Sequence, residues 1–133
     1  MSPPYPPERD YQPELAARFA PALSLFERII KGVAGDAVRR KVEFIVIPIA
    51  SGAYFYSPRS PSAQYQEFFC EQIVQRLRAK SVPVIHLPAL MRERLRSDRG
   101  RWFFPHEGHL NAQGHKVVAE ILARELSEPA PRG

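Results

Sequence analysis

Two short apolar runs constrain the fold of this chain more than anything else in it. Lys41-Val42-Glu43-Phe44-Ile45-Val46-Ile47-Pro48-Ile49-Ala50 and Ser81-Val82-Pro83-Val84-Ile85-His86-Leu87 are rich in β-branched residues and almost continuously apolar. Such runs read as strands buried on both faces of a parallel sheet. Between them, a helix capped by Ser62 places Tyr65, Phe68, Phe69, Ile73 and Leu77 on one face. Arg76, Arg78 and Lys80 fall near its C-terminus, where they complement the helix dipole. Strand, helix, strand is a βαβ unit with a right-handed crossover. Pro48 cannot donate a ladder hydrogen bond, so pairing weakens around it.

The flanking segments extend this pattern. From Pro13 to Lys31 the spacing of Leu15, Phe19, Ala22, Leu23, Phe26 and Ile30 predicts a helix, interrupted or started at Pro21 and ended by Gly32 and Gly35. Ser51 to Pro61 reads as a loop at a strand end, where open α/β sheets place ligands. Its consecutive Tyr54, Phe55 and Tyr56 either pack over the sheet edge, the favoured reading, or wall a ligand. Pro88 to Ser97 is a short helix, Ser97 to Arg101 a polar turn, and Trp102-Phe103-Phe104 an apolar anchor. Asn111 caps a last helix that carries Val117, Val118, Ile121, Leu122 and Leu126 inward. The expected fold class is α/β, a layered sandwich with a short parallel sheet. Two strands are too few for an independent parallel sheet. Further strands are therefore expected from missing sequence or from a partner, with self-association through the incomplete sheet as one route. The expected organisation is a proline-rich extended stretch over 1–12, one α/β domain over 13–127, and a tail over 128–133.

Length and composition exclude several classes. A chain of 133 residues is at most one domain, and 44% hydrophobic with 25% charged residues fits a globular protein. The single Cys70 rules out an intrachain disulfide and a multi-cysteine zinc site, and its place beside Phe69 reads as a small buried apolar residue. No run approaches the roughly 18 to 20 apolar residues of a membrane span. Met1 to Pro7 lacks the order of a signal peptide, so a cytoplasmic location is expected of the chain as written. The net charge of +5 and a pI near 9.7 point only weakly to an anionic partner. Eight basic residues lie between Arg76 and Arg101, with Arg92 and Arg96 on one helix face, but no nucleic-acid module signature accompanies them. No nucleic-acid partner is expected.

The chemistry concentrates in Pro105-His106-Glu107-Gly108-His109-Leu110-Asn111-Ala112-Gln113-Gly114-His115, which holds three of the four histidines. A histidine in a loop just before a helix is held by the scaffold and can still reach a substrate. A nearby carboxylate can fix its tautomer, leaving the other ring nitrogen as a general base toward a hydroxyl nucleophile. His109 and Glu107 can supply those two parts. Gly108 and Gly114 permit close backbone approach. His106 reads as an exposed loop residue and His115 as a first-turn helix residue. His86, inside the second apolar run, reads as structural.

The run from Phe104 to Ala119 resembles the C-terminal block of the SGNH (GDSL-type) hydrolases, in which an aspartate shortly before a histidine completes a Ser-His-Asp triad. With the apolar-run, helix and Val82-Pro83-Val84-Ile85 pattern upstream, the resemblance covers roughly residues 40–126. It implies a flavodoxin-like three-layer α/β/α fold and hydrolysis or transfer of acyl or acetyl esters of small molecules, carbohydrates or lipids, with neither metal nor cofactor. On the motif match His109 takes the base position and Glu107 the acidic position. The family's Gly-Asp-Ser nucleophile block, oxyanion-hole glycine and Gly-x-Asn-Asp block have no counterpart. Gly35-Asp36-Ala37, the nearest string, has Ala where Ser is needed and precedes its strand. Ser51, Ser57, Ser60 and Ser62 lie in a loop but not in a Gly-x-Ser-x-Gly elbow. Without a nucleophile and aimed oxyanion donors, acyl transfer loses its main contributors. The expectation is therefore the histidine-bearing half of an ester hydrolase, inactive alone.

Two other readings stand beside it. One is a catalytically dead structural or interaction fragment. The other is a metal site, since His106, His109 and His115 could converge on zinc or nickel. The spacing of His106-Glu107-Gly108-His109 is not the zincin helix pattern, and Gly108 disfavours a helix there.

Overall fold

The computed structural model describes residues Gln12–Glu128. Five helices follow in order: α1 (Gln12–Arg40), α2 (Gly52–Tyr56), α3 (Pro61–Ala79), α4 (Leu87–Ser97) and α5 (Ala112–Ser127). Helix makes up 68% of these residues and strand only 3%, with no sheet. The expected α/β sandwich with a parallel sheet, flavodoxin-like in type, is therefore wrong. This is a mostly helical protein.

The physical reason lies in two prolines. The apolar runs are extended and lie side by side in parallel, but they meet only in one bridge, Val46 with Val84. Val46 N–H donates to the Pro83 carbonyl at 3.0 Å, and Ile85 N–H donates to the Val46 carbonyl at 3.0 Å. In parallel register the next rung toward the C-terminus needs an N–H at position 48 and one from Leu87. Pro48 has none, and Leu87 N–H is already bonded to the Ile85 carbonyl as α4 begins. The next rung in the other direction needs an N–H at position 83, again a proline. One rung survives where a ladder was expected.

Other boundaries shift as well. α1 runs straight through Pro21, Gly32 and Gly35 to Arg40. An interior glycine costs about 1 kcal/mol relative to alanine, which weakens a helix without stopping it. The stop comes at Lys41, whose φ of 57° is left-handed. Val42 N–H closes on the Ala37 carbonyl at 2.9 Å, and Arg39 and Arg40 sit in the last turn, where the dipole favours them. The expected loop after Ala50 contains the short helix α2. Ser60, and not Ser62, caps α3, accepting from Ala63 N–H at 3.2 Å with Pro61 in the first turn. The expected extended stretch and tail lie outside the described residues, apart from Gln12, which opens α1, and Glu128, which caps α5.

The interior has two parts. Leu15 and Leu23 of α1 pack on Phe68 of α3, and Phe19 meets Phe69 edge-on with ring centroids 5.0 Å apart. The larger cluster joins Ala50, Tyr54, Phe55, Leu87, Met91, Trp102, Phe103, Val117 and Ile121. Trp102 is fully buried in it, so the anchor before the histidine stretch is a core element. Ion pairs bind the helices laterally: Arg76 of α3 to Glu27 of α1, and Arg94 of α4 to Glu120 of α5. Leu25, Ile29 and Val33 of α1, with Val38, Val42 and Ile49 beyond them, are exposed aliphatic side chains. No described helix is long and apolar enough to cross a membrane.

Candidate functional site

The histidine stretch forms a tight loop closed at its base. Phe103 and Leu110 pair in an antiparallel bridge. Phe104 N–H donates to the His109 carbonyl at 2.8 Å, and Asn111 N–H donates to the Trp102 carbonyl at 2.9 Å. The tip turns through two left-handed residues, His106 (φ 73°) and Gly108 (φ 71°). Gly108 takes this conformation without strain, whereas His106 bears a modest steric cost.

Asn111 holds the exit. Its Oδ1 accepts from Gly114 N–H at 2.9 Å, capping α5, and its Nδ2 donates to the Arg101 carbonyl at 2.7 Å. Gly114 then lies directly on the backbone of Trp102. A Cβ built there would collide with the Trp102 carbonyl oxygen and stand 2.8 Å from Leu110 Cδ2. Only glycine lets α5 seat this closely on the loop's base.

The loop packs on the start of α2. Gly52 N–H donates to the Gly108 carbonyl at 3.2 Å, and a Cβ at Gly108 would lie 3.3 Å from Ser51 Cβ. Ser51 is gripped by Gln66 of α3. Its N–H donates to Gln66 Oε1 at 2.6 Å, and its Oγ accepts from Gln66 Nε2 at 2.9 Å. Between this junction and the turn before Trp102 opens a cleft of about 740 Å³. Ser51, Tyr56, Ser57, Arg99, Arg101, Phe103, Phe104, His106 and Glu107 are among its lining residues. That size suits a small-molecule ligand.

The expected site residues fall as follows. His109 and Glu107 are both exposed on the loop, but no hydrogen bond or ion pair joins them among the described residues, and His109 is not among the residues lining the cleft. His106 and Glu107 do line it. His115 is exposed in the first turn of α5. His86 caps α4: its Nδ1 accepts from Ala89 N–H at 3.3 Å, and its Nε2 lies 2.8 Å from Glu71 Oε1. Both ring nitrogens are thus engaged in structure. Among the described residues no group of three or more His, Cys, Asp or Glu is placed to hold a metal ion. Cys70 is buried, and desolvation pushes its thiol up to about 11, so it stays protonated and unreactive at neutral pH.

Three cleft features escaped the sequence reading, the Ser51–Gln66 clamp, Arg99 and Arg101, while Tyr56 lines the cleft as the less favoured ligand-wall reading of the aromatic trio allowed. Tyr56 belongs to the aromatic trio, yet only Tyr54 and Phe55 enter the core. The Tyr56 hydroxyl donates to the Gly100 carbonyl at 3.2 Å and accepts from Trp102 N–H at 3.1 Å. It fixes the turn that carries both arginines. No local pattern announces contacts that span more than forty residues of sequence.

Compared with known proteins, the chain matches no family model, no curated protein and no solved structure.

Proposed function

We propose that the chain carries the histidine-bearing part of an ester-hydrolase site of the SGNH type, acting on acyl or acetyl esters of a small molecule, carbohydrate or lipid, and that it is inactive alone. The reading rests on the site and not on the fold. The observation that carries it is the bridged loop, which holds His109 by its backbone and leaves its side chain exposed and unengaged by the described residues, next to the cleft that His106 and Glu107 line. A general base must be held by its backbone and free at its ring. Glu107, two residues before it, orients that ring once substrate or a further segment closes the loop, as catalytic hydrogen bonds often form only in the complex. The nucleophile and oxyanion donors come from outside the sequence described.

Two measurements test this. A fluorophosphonate probe labels no serine of this chain; stoichiometric labelling, at Ser51 above all, would overturn the incomplete-site reading. In-frame translation upstream of Met1 yields a Gly-Asp-Ser block, and the joined protein hydrolyses p-nitrophenyl acetate and loses that activity on His109→Ala. Unchanged hydrolysis in that variant removes His109 as the base.

A second reading, a non-catalytic interaction fragment that self-associates, is favoured by the exposed aliphatic side chains Leu25, Ile29 and Val33, spaced four apart on one face of α1. Ile45 and Ile47 alternate with the bridged Val46, so their main-chain groups point away from the Val84 run toward an open edge. Sedimentation velocity decides it: a concentration-dependent dimer abolished by Ile29→Glu supports this reading, and a monomer at all concentrations refutes it.

A further inference from the structure

We propose that the cleft beside the histidine loop selects a ligand bearing a negative charge next to an apolar group, and that Arg99 and Arg101 make this selection. The inference deepens the ester-hydrolase reading, which supplies the ester, by assigning the substrate class: a half-ester with a free carboxylate.

Three observations carry it. First, the two arginines are unneutralised. Among the described residues neither has a carboxylate partner, whereas Arg76, Arg92 and Arg94 are all ion-paired. Of the described residues lining the cleft only Glu107 is acidic, so the two guanidinium groups give these residues a net positive charge. Second, the backbone bearing them is fixed on both sides of Gly100. The Tyr56 hydroxyl bonds the Gly100 carbonyl, Asp98 Oδ1 accepts from Gly100 N–H at 3.0 Å, and Asn111 Nδ2 holds the Arg101 carbonyl. Charges on a fixed backbone lose less freedom when they bind than charges on a mobile loop. Third, Phe103 and the half-exposed Phe104 give the same cleft an apolar wall. Guanidinium recognises carboxylate by paired hydrogen bonds, and the aromatic wall takes the apolar part of the ligand.

The test uses the chain as it is, with binding as the readout. Monobenzyl succinate carries an apolar ester and one carboxylate; benzyl methyl succinate is its neutral counterpart. Titration followed by amide NMR shifts is expected to show monobenzyl succinate binding, with shifts at Arg99–Phe104 and His106–Gly108. The neutral diester is expected to bind at least tenfold more weakly. The double variant Arg99→Gln/Arg101→Gln is expected to weaken the monoester at least tenfold and leave the diester unchanged. Both side chains are exposed and neither is ion-paired among the described residues, so the variant is expected to keep its fold, checked by circular dichroism. Raising salt weakens only the monoester. Equal affinity for the two esters, full monoester affinity in the double variant, or no monoester binding would each overturn the proposal. Binding is read here without turnover, so it does not depend on whether His109 acts as a base. Failure of the hydrolase reading therefore leaves this result intact, and the two can fail separately.

Discussion

Replacing Asn111 tests whether one side chain joins the histidine loop to α5. In Asn111→Ala two bonds vanish. The first is the cap, Oδ1 accepting from Gly114 N–H at 2.9 Å in a half-buried position. Loss of such a cap costs about 1 kcal/mol. The second is the tether from Nδ2 to the Arg101 carbonyl at 2.7 Å, which is exposed. Water replaces an exposed bond readily, so it contributes about 0.5 kcal/mol, the low end of the usual range. The sum is about 1.5 kcal/mol. At a urea m-value of roughly 1.5 to 2 kcal/mol/M for a chain of this size, the midpoint falls by about 0.8 to 1 M. Asn111→Asp separates the two arms. The carboxylate still accepts from Gly114 N–H and suits the positive end of the helix, but it cannot donate to Arg101. Its loss is about 0.5 kcal/mol or less. Urea unfolding followed by circular dichroism reads both variants. If alanine costs less than about 0.5 kcal/mol, or if aspartate costs as much as alanine, the cap is not what holds the loop.

Two further predictions concern packing and pH. Gly114→Ala forces a Cβ into the Trp102 carbonyl and is expected to cost about 3 kcal/mol or more in urea unfolding, whereas Gly32→Ala, with open space around it, is expected to stabilise by about 0.5 to 1 kcal/mol; a neutral Gly114→Ala would mean that α5 does not seat on the loop's base. Burial raises Tyr54 from 10.0 to about 12 and Cys70 from 9.0 to about 11, so the fold favours their neutral forms. Their contribution is complete below pH 9 and is lost as pH rises through about 11 to 12, up to roughly 2 to 3 kcal/mol each. Urea midpoints should therefore fall steeply between pH 9 and 12, and less steeply in Tyr54→Phe; identical pH profiles for parent and variant would refute the assignment to Tyr54.

Local patterns carried much of the helical content. The apolar spacing of Leu15, Phe19 and Leu23, of Phe68 and Leu77, and of Val117 and Ile121 marks faces that do enter the core. Asn111 was legible as a cap because a short acceptor before an apolar-periodic run has few other uses, and Cys70 as a buried residue because its neighbours are apolar. The misreadings came where a local preference needs a distant partner. β-branched composition sets an extended backbone, but a sheet also needs N–H donors in register on a neighbour. Pro48 and Pro83 matter together only after Val46 meets Val84, and that pairing joins positions far apart in sequence.

The same division applies to the site. Sequence alone determined that the histidines cluster around the start of a capped helix, that Gly108 and Gly114 permit close backbone approach, and that the given sequence holds no Gly-Asp-Ser block. These are properties of neighbours along the chain. Only the tertiary structure decided that no hydrogen bond or ion pair joins Glu107 to His109, that Ser51 abuts the loop through Gly52 and Gly108, and that Tyr56, Arg99 and Arg101 share the cleft with His106. Each of those facts depends on α2 and the 98–102 turn docking around Trp102. Burial of a large aromatic side chain drives such docking without direction, so the residues it brings together carry no mark of it in the sequence.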